Sequence, residues 1–145
     1  MSDFFDKLDN AIGKQKQAEN DHKAAKQENE EFFSQISARL SPTLEAYATK
    51  LKERGMRVVH SANSRHVWLE LKYSDGGHRA LSLHTNLDSG RVEFEEFFTN
   101  DDGKNYKSTT GASYDPSTWK DEFFASKLEK MIEDFVFYAP RHGGF

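Results

Sequence analysis

Apolar side chains recur along the first 40 residues with the 4-3 spacing of a helical seam. The seam positions hold, in order, Phe4, Leu8, Ala11, Gln15, Ala18, His22, Ala25, Asn29, Phe32 and Ile36. Both ends of the seam are apolar, while the middle stretch KQKQAENDHKAAKQENEE favours a helix but has little surface to bury. We therefore expect residues 1–40 to form a polar helical arm, either as a solvated helix or as a weak coiled-coil or docking helix.

The dipeptide Ser41-Pro42 predicts the end of this arm and the start of a second helix. Proline disfavours helical geometry in the residue before it, but it suits the first turn of a new helix, where Ser41 can cap the free amides. Gly55 is placed to end the second helix in the left-handed conformation. We expect this helix to pack on the rest of the domain through its apolar face. That face comprises Leu44, Tyr47, Ala48 and Leu51.

Four segments with alternating apolar and polar residues follow, separated by turn-forming residues. They span residues 56–62, 65–73, 78–85 and 91–99. Their order predicts an antiparallel meander, and KNYKSTT in the polar stretch that follows is a candidate fifth strand at the sheet edge.

A wide apolar stripe predicts a last helix from Trp119 to Val136, opened by Asp115-Pro116. The stripe consists of Trp119, Phe123, Phe124, Leu128, Met131, Ile132, Phe135 and Val136. We expect this helix to cover one face of the sheet and the tail APRHGGF to be a flexible end. Residues 41–145 are thus predicted to form a single α+β domain, with a second helix, a four- or five-stranded antiparallel meander and a C-terminal amphipathic helix.

The predicted turns determine which residues share a face of the sheet. A three-residue loop at Asp75–Gly77 pairs Leu71 with Leu81, and a four-residue loop at Asn86–Ser89 pairs Leu83 with Val92. The outer face then carries Trp68 beside His84 and Arg91, and Glu70 beside Ser82 and Glu93. A polar outer face is ordinary in antiparallel sheets. A tryptophan there is either covered by the N-terminal helix or available as an anchor for another chain.

Charge and composition exclude several classes of protein. The 24 acidic and 20 basic residues give a net charge of −4, and no segment forms a basic arm, so nucleic acid is not expected as a partner. The absence of cysteine excludes disulfide scaffolds and thiolate metal sites. The sequence contains neither a run of 18 apolar residues nor the leader pattern of a secretory signal, so we expect a cytoplasmic protein without a membrane partner.

Candidate chemistry is confined to the outer face of the predicted sheet. His66, His84 and Glu93 are the candidates for a metal or acid-base site, but no HExxH spacing supports them. Phosphate-binding glycine loops and the GxSxG nucleophile motif are also absent from the sequence. We therefore predict no cofactor, and a small-ligand or metal-dependent acid-base enzyme built on these three residues is kept as the alternative.

These observations favour a non-enzymatic protein-protein interaction module that works as an adaptor, a chaperone or an inhibitor. The expected partner is another protein or a second copy of the chain, which would make a homodimer. The predicted binding surfaces are the arm and the outer face of the sheet. Their candidate residues are Phe4, Leu8, Trp68, Glu70, His84, Arg91 and Glu93.

Overall fold

The computed structural model describes residues 2–145 of the chain, with side chains for residues 3–109 and 112–145. The elements are helix α1 (Ser2–Glu53), strands β1 (Arg57–Ala62), β2 (His66–Lys72), β3 (His78–Asn86), β4 (Arg91–Thr99) and β5 (Asn105–Tyr114), helix α2 (Glu122–Tyr138) and a 3₁₀ helix (Ala139–His142). The five strands form one antiparallel sheet in sequence order. The predicted α+β class is confirmed.

The helix break predicted at Ser41-Pro42 does not occur, because α1 continues through Pro42 as one helix of 52 residues. The missing amide of Pro42 leaves the carbonyl of Ala38 without its helical partner, at a cost of about 3 kcal/mol. Leu40 and Leu44, on either side of the proline, are both buried in the same core. Burial of such side chains stabilises by roughly 1.5–3 kcal/mol each, which offsets the lost hydrogen bond. The predicted boundary at residue 40 therefore lies inside a continuous helix.

The hairpin of β2 and β3 has its turn one residue earlier than predicted. Tyr73 donates its amide to the carbonyl of Gly77 at 2.8 Å, so the loop is Ser74-Asp75-Gly76. Gly76 has φ +90°, the left-handed conformation that a three-residue loop requires at its last position. Leu69 consequently pairs with Leu81. Each residue of β2 thus pairs with a residue of β3 that is two positions from the predicted partner. Because side chains alternate with a period of two, every side chain keeps its predicted face.

The hairpin of β3 and β4 is displaced by the same amount in the opposite direction, so its turn lies one residue later than predicted. Its loop is residues 87–90, so Leu83 pairs with Phe94 and Asn86 pairs with Arg91. The side chain of Asn86 accepts hydrogen bonds from the amides of Asp88 and Ser89 at 3.0 and 3.2 Å, which defines where the turn starts. Again the pairing prediction is wrong by two residues and the prediction of faces is right.

Both helices pack on the same face of the sheet. The sheet contributes buried Val67, Leu69, Leu71, Leu81, Leu83, Val92 and Phe94. Helix α1 contributes Phe33, Ile36, Leu40, Leu44 and Leu51, and α2 contributes Phe124, Leu128, Met131 and Phe135. The outer face is therefore outside the core in the part of the chain that the structure describes.

The last helix starts at Glu122, three residues later than predicted. Asp115 closes a turn before it by accepting hydrogen bonds from the amides of Ser117 and Thr118 at 2.9 and 3.0 Å. Trp119 lies in this turn, with its ring 5.9 Å from the ring of Phe94, and is only 9% exposed. Seven of the eight stripe residues lie in the core or pack against it, whereas the last, Val136, is 45% exposed, and the first, Trp119, precedes the helix.

The tail is not a free end. His142 is 4% exposed, stacks on Tyr73 at 4.1 Å between ring centroids, and places Nδ1 2.9 Å from Oδ2 of Asp75. The amide of Gly77 and the neighbouring His142 lower the pKa of the Asp75 carboxyl. The chain end is thereby attached to the turn between β2 and β3.

An ion pair between α1 and the start of α2 predicts a pH-dependent contribution to stability. Arg39 donates to both carboxylate oxygens of Asp121, at 2.8 and 3.1 Å, and Trp119 Nε1 donates at 2.8 Å. The hydrogen bond from Arg39 holds the pKa of the Asp121 carboxyl below its usual range. This contribution is complete above the unfolded pKa and is lost as the pH falls through the lower folded value.

We expect Asp121→Asn to lower the free energy of unfolding by about 1 kcal/mol at pH 7, since both partners are partly exposed. The difference from the parent should shrink below about pH 4, because the parent then loses the same contribution. Urea denaturation between about pH 2 and pH 7 measures this. The control is Asp101→Asn, in the exposed pair with Arg141 at 3.1 Å, and it should change stability by less than about 0.5 kcal/mol. A constant difference at all pH values would contradict the assignment.

Candidate functional site

Two regions of the molecule are left uncovered by the core. The first is the N-terminal part of α1, residues 3–21, and from here on the name arm is restricted to this exposed part of the predicted residues 1–40. Every side chain in it is exposed, and α1 first meets the rest of the domain at the next residue, where His22 lies 3.7 Å from Asp88 in the turn between β3 and β4. At 1.5 Å per residue the arm projects by about 28 Å. The second region is the outer face of the sheet.

The arm carries an apolar stripe near its free end. Phe4, Phe5, Leu8 and Ile12 are 63%, 54%, 40% and 44% exposed. The predicted residues Phe4 and Leu8 belong to this stripe, but Phe5 and Ile12 were missed. They lie next to the strict 4-3 seam, and the helical spacing of Phe5, Leu8 and Ile12 would have revealed them.

The junction of the arm with the domain is fixed by the turn between β3 and β4. Asn29 donates its side-chain amide to the carbonyl of Leu87 at 2.7 Å, and Lys26 lies 3.3 Å from Asp88. Gly90 has φ +72°, and a Cβ at this position would collide with the side chain of Asn29. Beyond residue 21, therefore, the side of α1 that faces the sheet is occupied.

Trp68 lies near the middle of the outer face. Its ring is 5.3 Å from the ring of Phe97, with an interplanar angle of 54°. Of the two alternatives for Trp68, cover by the N-terminal helix is wrong, because α1 packs on the opposite face. Trp68 instead contributes to a shallow depression of about 570 Å³. The depression is lined by Val59, Ser61, Arg65, His66, Trp68, Ser82, His84 and Glu95.

Phe97 was missed by the sequence reasoning, although a signal was present. It has the same strand parity as Glu93 and Glu95, and alternation alone therefore places it on the outer face. The predicted neighbours of Trp68 also change, because its cross-strand partner is Ser82 and not His84. His84 still borders the same depression.

The predicted polar residues of the outer face divide into separate networks. His84 Nε2 lies 3.6 Å from a carboxylate oxygen of Glu93 and 3.4 Å from one of Glu95. Glu70 is instead near His78, at 3.8 Å. Arg91 donates to the hydroxyl and the carbonyl of Ser113 at 2.6 and 2.9 Å. Only His84 and Glu93, among these predicted residues, contact each other.

The histidines do not converge on a common point. His66 and His84 are cross-strand partners, but Nε2 of His66 lies 3.0 Å from the hydroxyl of Ser61 and 3.3 Å from the amide of Asn63. His84 is directed at the carboxylates. Among the described residues, no three or more His, Asp or Glu side chains are arranged to hold a metal ion. The candidate cluster of His66, His84 and Glu93 is not assembled.

Comparison with models of known protein families, with curated proteins and with solved structures finds no match for this chain. Within residues 2–145, neither helix combines the length and the apolar character needed to cross a membrane.

Proposed function

We propose that this chain is a non-enzymatic interaction module that binds protein through its arm and through the outer face around Trp68. The observation that carries the proposal is the arm, which extends the helix 19 residues beyond its first contact with the rest of the domain and exposes four large apolar side chains near its end. An isolated helix of this length is marginally stable in water, and pairing of its apolar stripe with another surface stabilises it.

The outer face supports the proposal as a second binding surface. Trp68 and Phe97 supply aromatic area, and Glu95, which lines the same depression and lies 3.6 Å from Lys107, supplies a carboxylate beside it, with Glu93 next to it across His84. Tryptophan in such a setting is a frequent hot spot of protein interfaces. The matching partner is a protein segment that presents an apolar side chain to Trp68 and a basic side chain to the carboxylates. We propose that this interaction takes place in the cytoplasm.

The enzyme alternative has less support from the same geometry. It needs His66, His84 and Glu93 to act on one ligand, whereas His66 is engaged with Ser61 and Asn63 on the side of β1. The pair of His84 with its carboxylates lies in an open depression that does not exclude water from a reacting group.

Capture from a cell lysate with full-length variants tests the proposal. We expect a specific protein to be retained by the parent chain and its amount to fall about 30-fold with Trp68→Ala or with Phe5→Ser/Leu8→Ser, as for hot-spot residues. The matched control is Phe137→Ala, which removes an aromatic ring that is 71% exposed on α2. Circular dichroism checks that each variant is folded. Retention of the same proteins by all variants would overturn the proposal.

A further inference from the structure

An arginine occupies an inward position of the sheet, at the end of the core. In β3, Arg79 has the same strand parity as Leu81 and Leu83, which are buried under the helices. Its Cζ atom lies 5.1 Å from the ring centroid of Phe98, its cross-strand partner in β4, and 5.1 Å from that of Tyr138, the last residue of α2. One ring from the sheet and one from α2 thus hold the guanidinium in place.

The charge of Arg79 is not neutralised by the acidic residues around it. Its Nε is buried and has no hydrogen-bond partner among the described residues. Asp134, on α2, is paired with Lys130 at 2.6 Å. Asp101, in the turn between β4 and β5, is paired with Arg141 at 3.1 Å. A buried charged group without a partner is costly, and an unpaired buried donor in a folded protein points to a ligand or water that completes it.

The hydroxyl of Tyr73, which also lies near Arg79, does not supply the missing negative charge. Burial raises the pKa of Tyr73, and the guanidinium of Arg79 only partly opposes this rise. Tyr73 is therefore protonated at neutral pH and donates to the carbonyl of Phe135 at 2.9 Å. Within the described residues, Arg79 thus remains a fixed positive charge without a counterion.

Arg79 lines a polar cavity of about 290 Å³. The other walls are residues 98–101, at the end of β4 and in the following turn, and Asp134, Tyr138, Arg141 and His142 near the end of the chain. His142 is only 4% exposed, so this wall belongs to the packed part of the domain. The volume lies just below the range of about 300–1,000 Å³ that is usual for small-molecule pockets, which indicates a small ligand.

The charges of the cavity wall select the class of ligand. The ion pairs of Asp101 and Asp134 leave the charge of Arg79 unbalanced, so an anion complements the wall. A guanidinium binds a carboxylate through two parallel N–H···O bonds. A doubly charged anion such as sulfate is disfavoured, because it brings a second negative charge next to the two carboxylates of the wall.

We infer that the cavity binds a small-molecule carboxylate, anchored by the guanidinium of Arg79. The Cζ atom of Arg141 lies 5.3 Å from the ring centroid of Tyr138, so a second guanidinium stands beside the same ring. Phe98 offers an apolar surface to the carbon part of the ligand. The site lies on the inward face of the sheet, apart from the arm and from the outer face around Trp68. It therefore adds a ligand to the proposed function and does not depend on it.

Nuclear magnetic resonance of the full chain at constant ionic strength, with sodium acetate as the probe, tests this inference. We expect a saturable shift of the Arg79 Nε–H signal, with a Kd of about 1–10 mM for a ligand of so few atoms. Acetamide has nearly the same shape without the charge and should produce no saturable shift. Sulfate should bind more weakly than acetate, because of the two carboxylates in the wall.

Variants separate binding at Arg79 from a general effect of salt, with the backbone amide signals of Phe98 and Thr99 as the readout. Arg79→Gln should abolish the saturable shift. Arg79→Lys keeps the charge but not the planar fork of donors, and it should weaken acetate binding about 10-fold. The matched control is Arg65→Gln, which removes the same charge just before β2, where the side chain is 61% exposed, and it should leave the Kd unchanged.

Circular dichroism checks that each variant is folded, and Arg79→Lys carries the test if Arg79→Gln does not fold. A shift that does not saturate, or that acetamide reproduces, would mean that the cavity holds water only and would overturn the inference. Sulfate binding as tight as that of acetate would overturn the choice of a carboxylate. Acetate binding that survives unchanged in Arg79→Lys and Arg79→Gln would place the anion elsewhere.

Discussion

Replacement of Phe135 by alanine is expected to lower the free energy of unfolding by about 3–5 kcal/mol, the range for a large buried aromatic. Phe135 has no exposed surface and lies in α2 where that helix meets the sheet. Its ring stacks on Tyr73 at 4.2 Å and lies 5.6 Å from Phe145. The substitution therefore leaves a cavity between the rings of Tyr73 and Phe145. Urea denaturation followed by far-ultraviolet circular dichroism measures the loss.

The same helix provides the control for this prediction. Phe137 lies two residues further on and is 71% exposed, so Phe137→Ala should change stability by less than about 0.5 kcal/mol. The two variants lose the same number of atoms from the same residue type, and they differ in burial. If the two substitutions lowered the free energy of unfolding by about the same amount, the side of α2 that packs on the sheet would not be the side that carries Phe135.

The faces of the sheet could be predicted from the sequence, while the pairing within it could not. Alternation places Leu69 and Leu81 on one face whichever loop is chosen, because a shift of two residues preserves side-chain direction. The pairing depends on which glycine takes the left-handed conformation. Gly76 and Gly77 are adjacent, and the composition of the turn does not distinguish them. The structure shows the choice in the positive φ of Gly76 and in the hydrogen bond between Tyr73 and Gly77.

The candidate surfaces were predictable to a similar extent. Alternation indicated that Trp68 and Glu93 share the outer face, and helical spacing indicated that Phe4 and Leu8 share a stripe. The side-chain partners of His66 could not be predicted, because Asn63 and Ser61 reach it through the geometry of a turn. His66 and His84 are cross-strand partners, but the hydrogen bonds to Ser61 and Asn63 occupy the ring of His66, and the predicted cluster is therefore not formed.

The continuity of α1 leads to the second large effect. Pro42 is exposed in the middle of the helix, so Pro42→Ala creates no cavity and restores a hydrogen bond to the carbonyl of Ala38. Removal of a proline from a helix interior stabilises the folded state by about 3 kcal/mol. The free energy of unfolding gains about 1 kcal/mol less than this, because alanine also makes the unfolded chain more flexible and thereby more favourable. We therefore expect the variant to be about 2 kcal/mol more stable than the parent, measured by urea denaturation.

The sign of this change distinguishes the two descriptions of the N-terminal region. Thr49→Ala, two turns further on at another exposed position, should stabilise by only about 0.5 kcal/mol through helix propensity, and it serves as the control. If Pro42 instead occupied the first turn of a separate helix, it would have no amide to lose there, and its removal would leave stability unchanged or lower. A gain well above that of Thr49→Ala therefore requires one continuous helix, in which the arm and the buried part of α1 form a single rod. A rigid connection of this kind is also what gives the arm a defined direction for binding a partner.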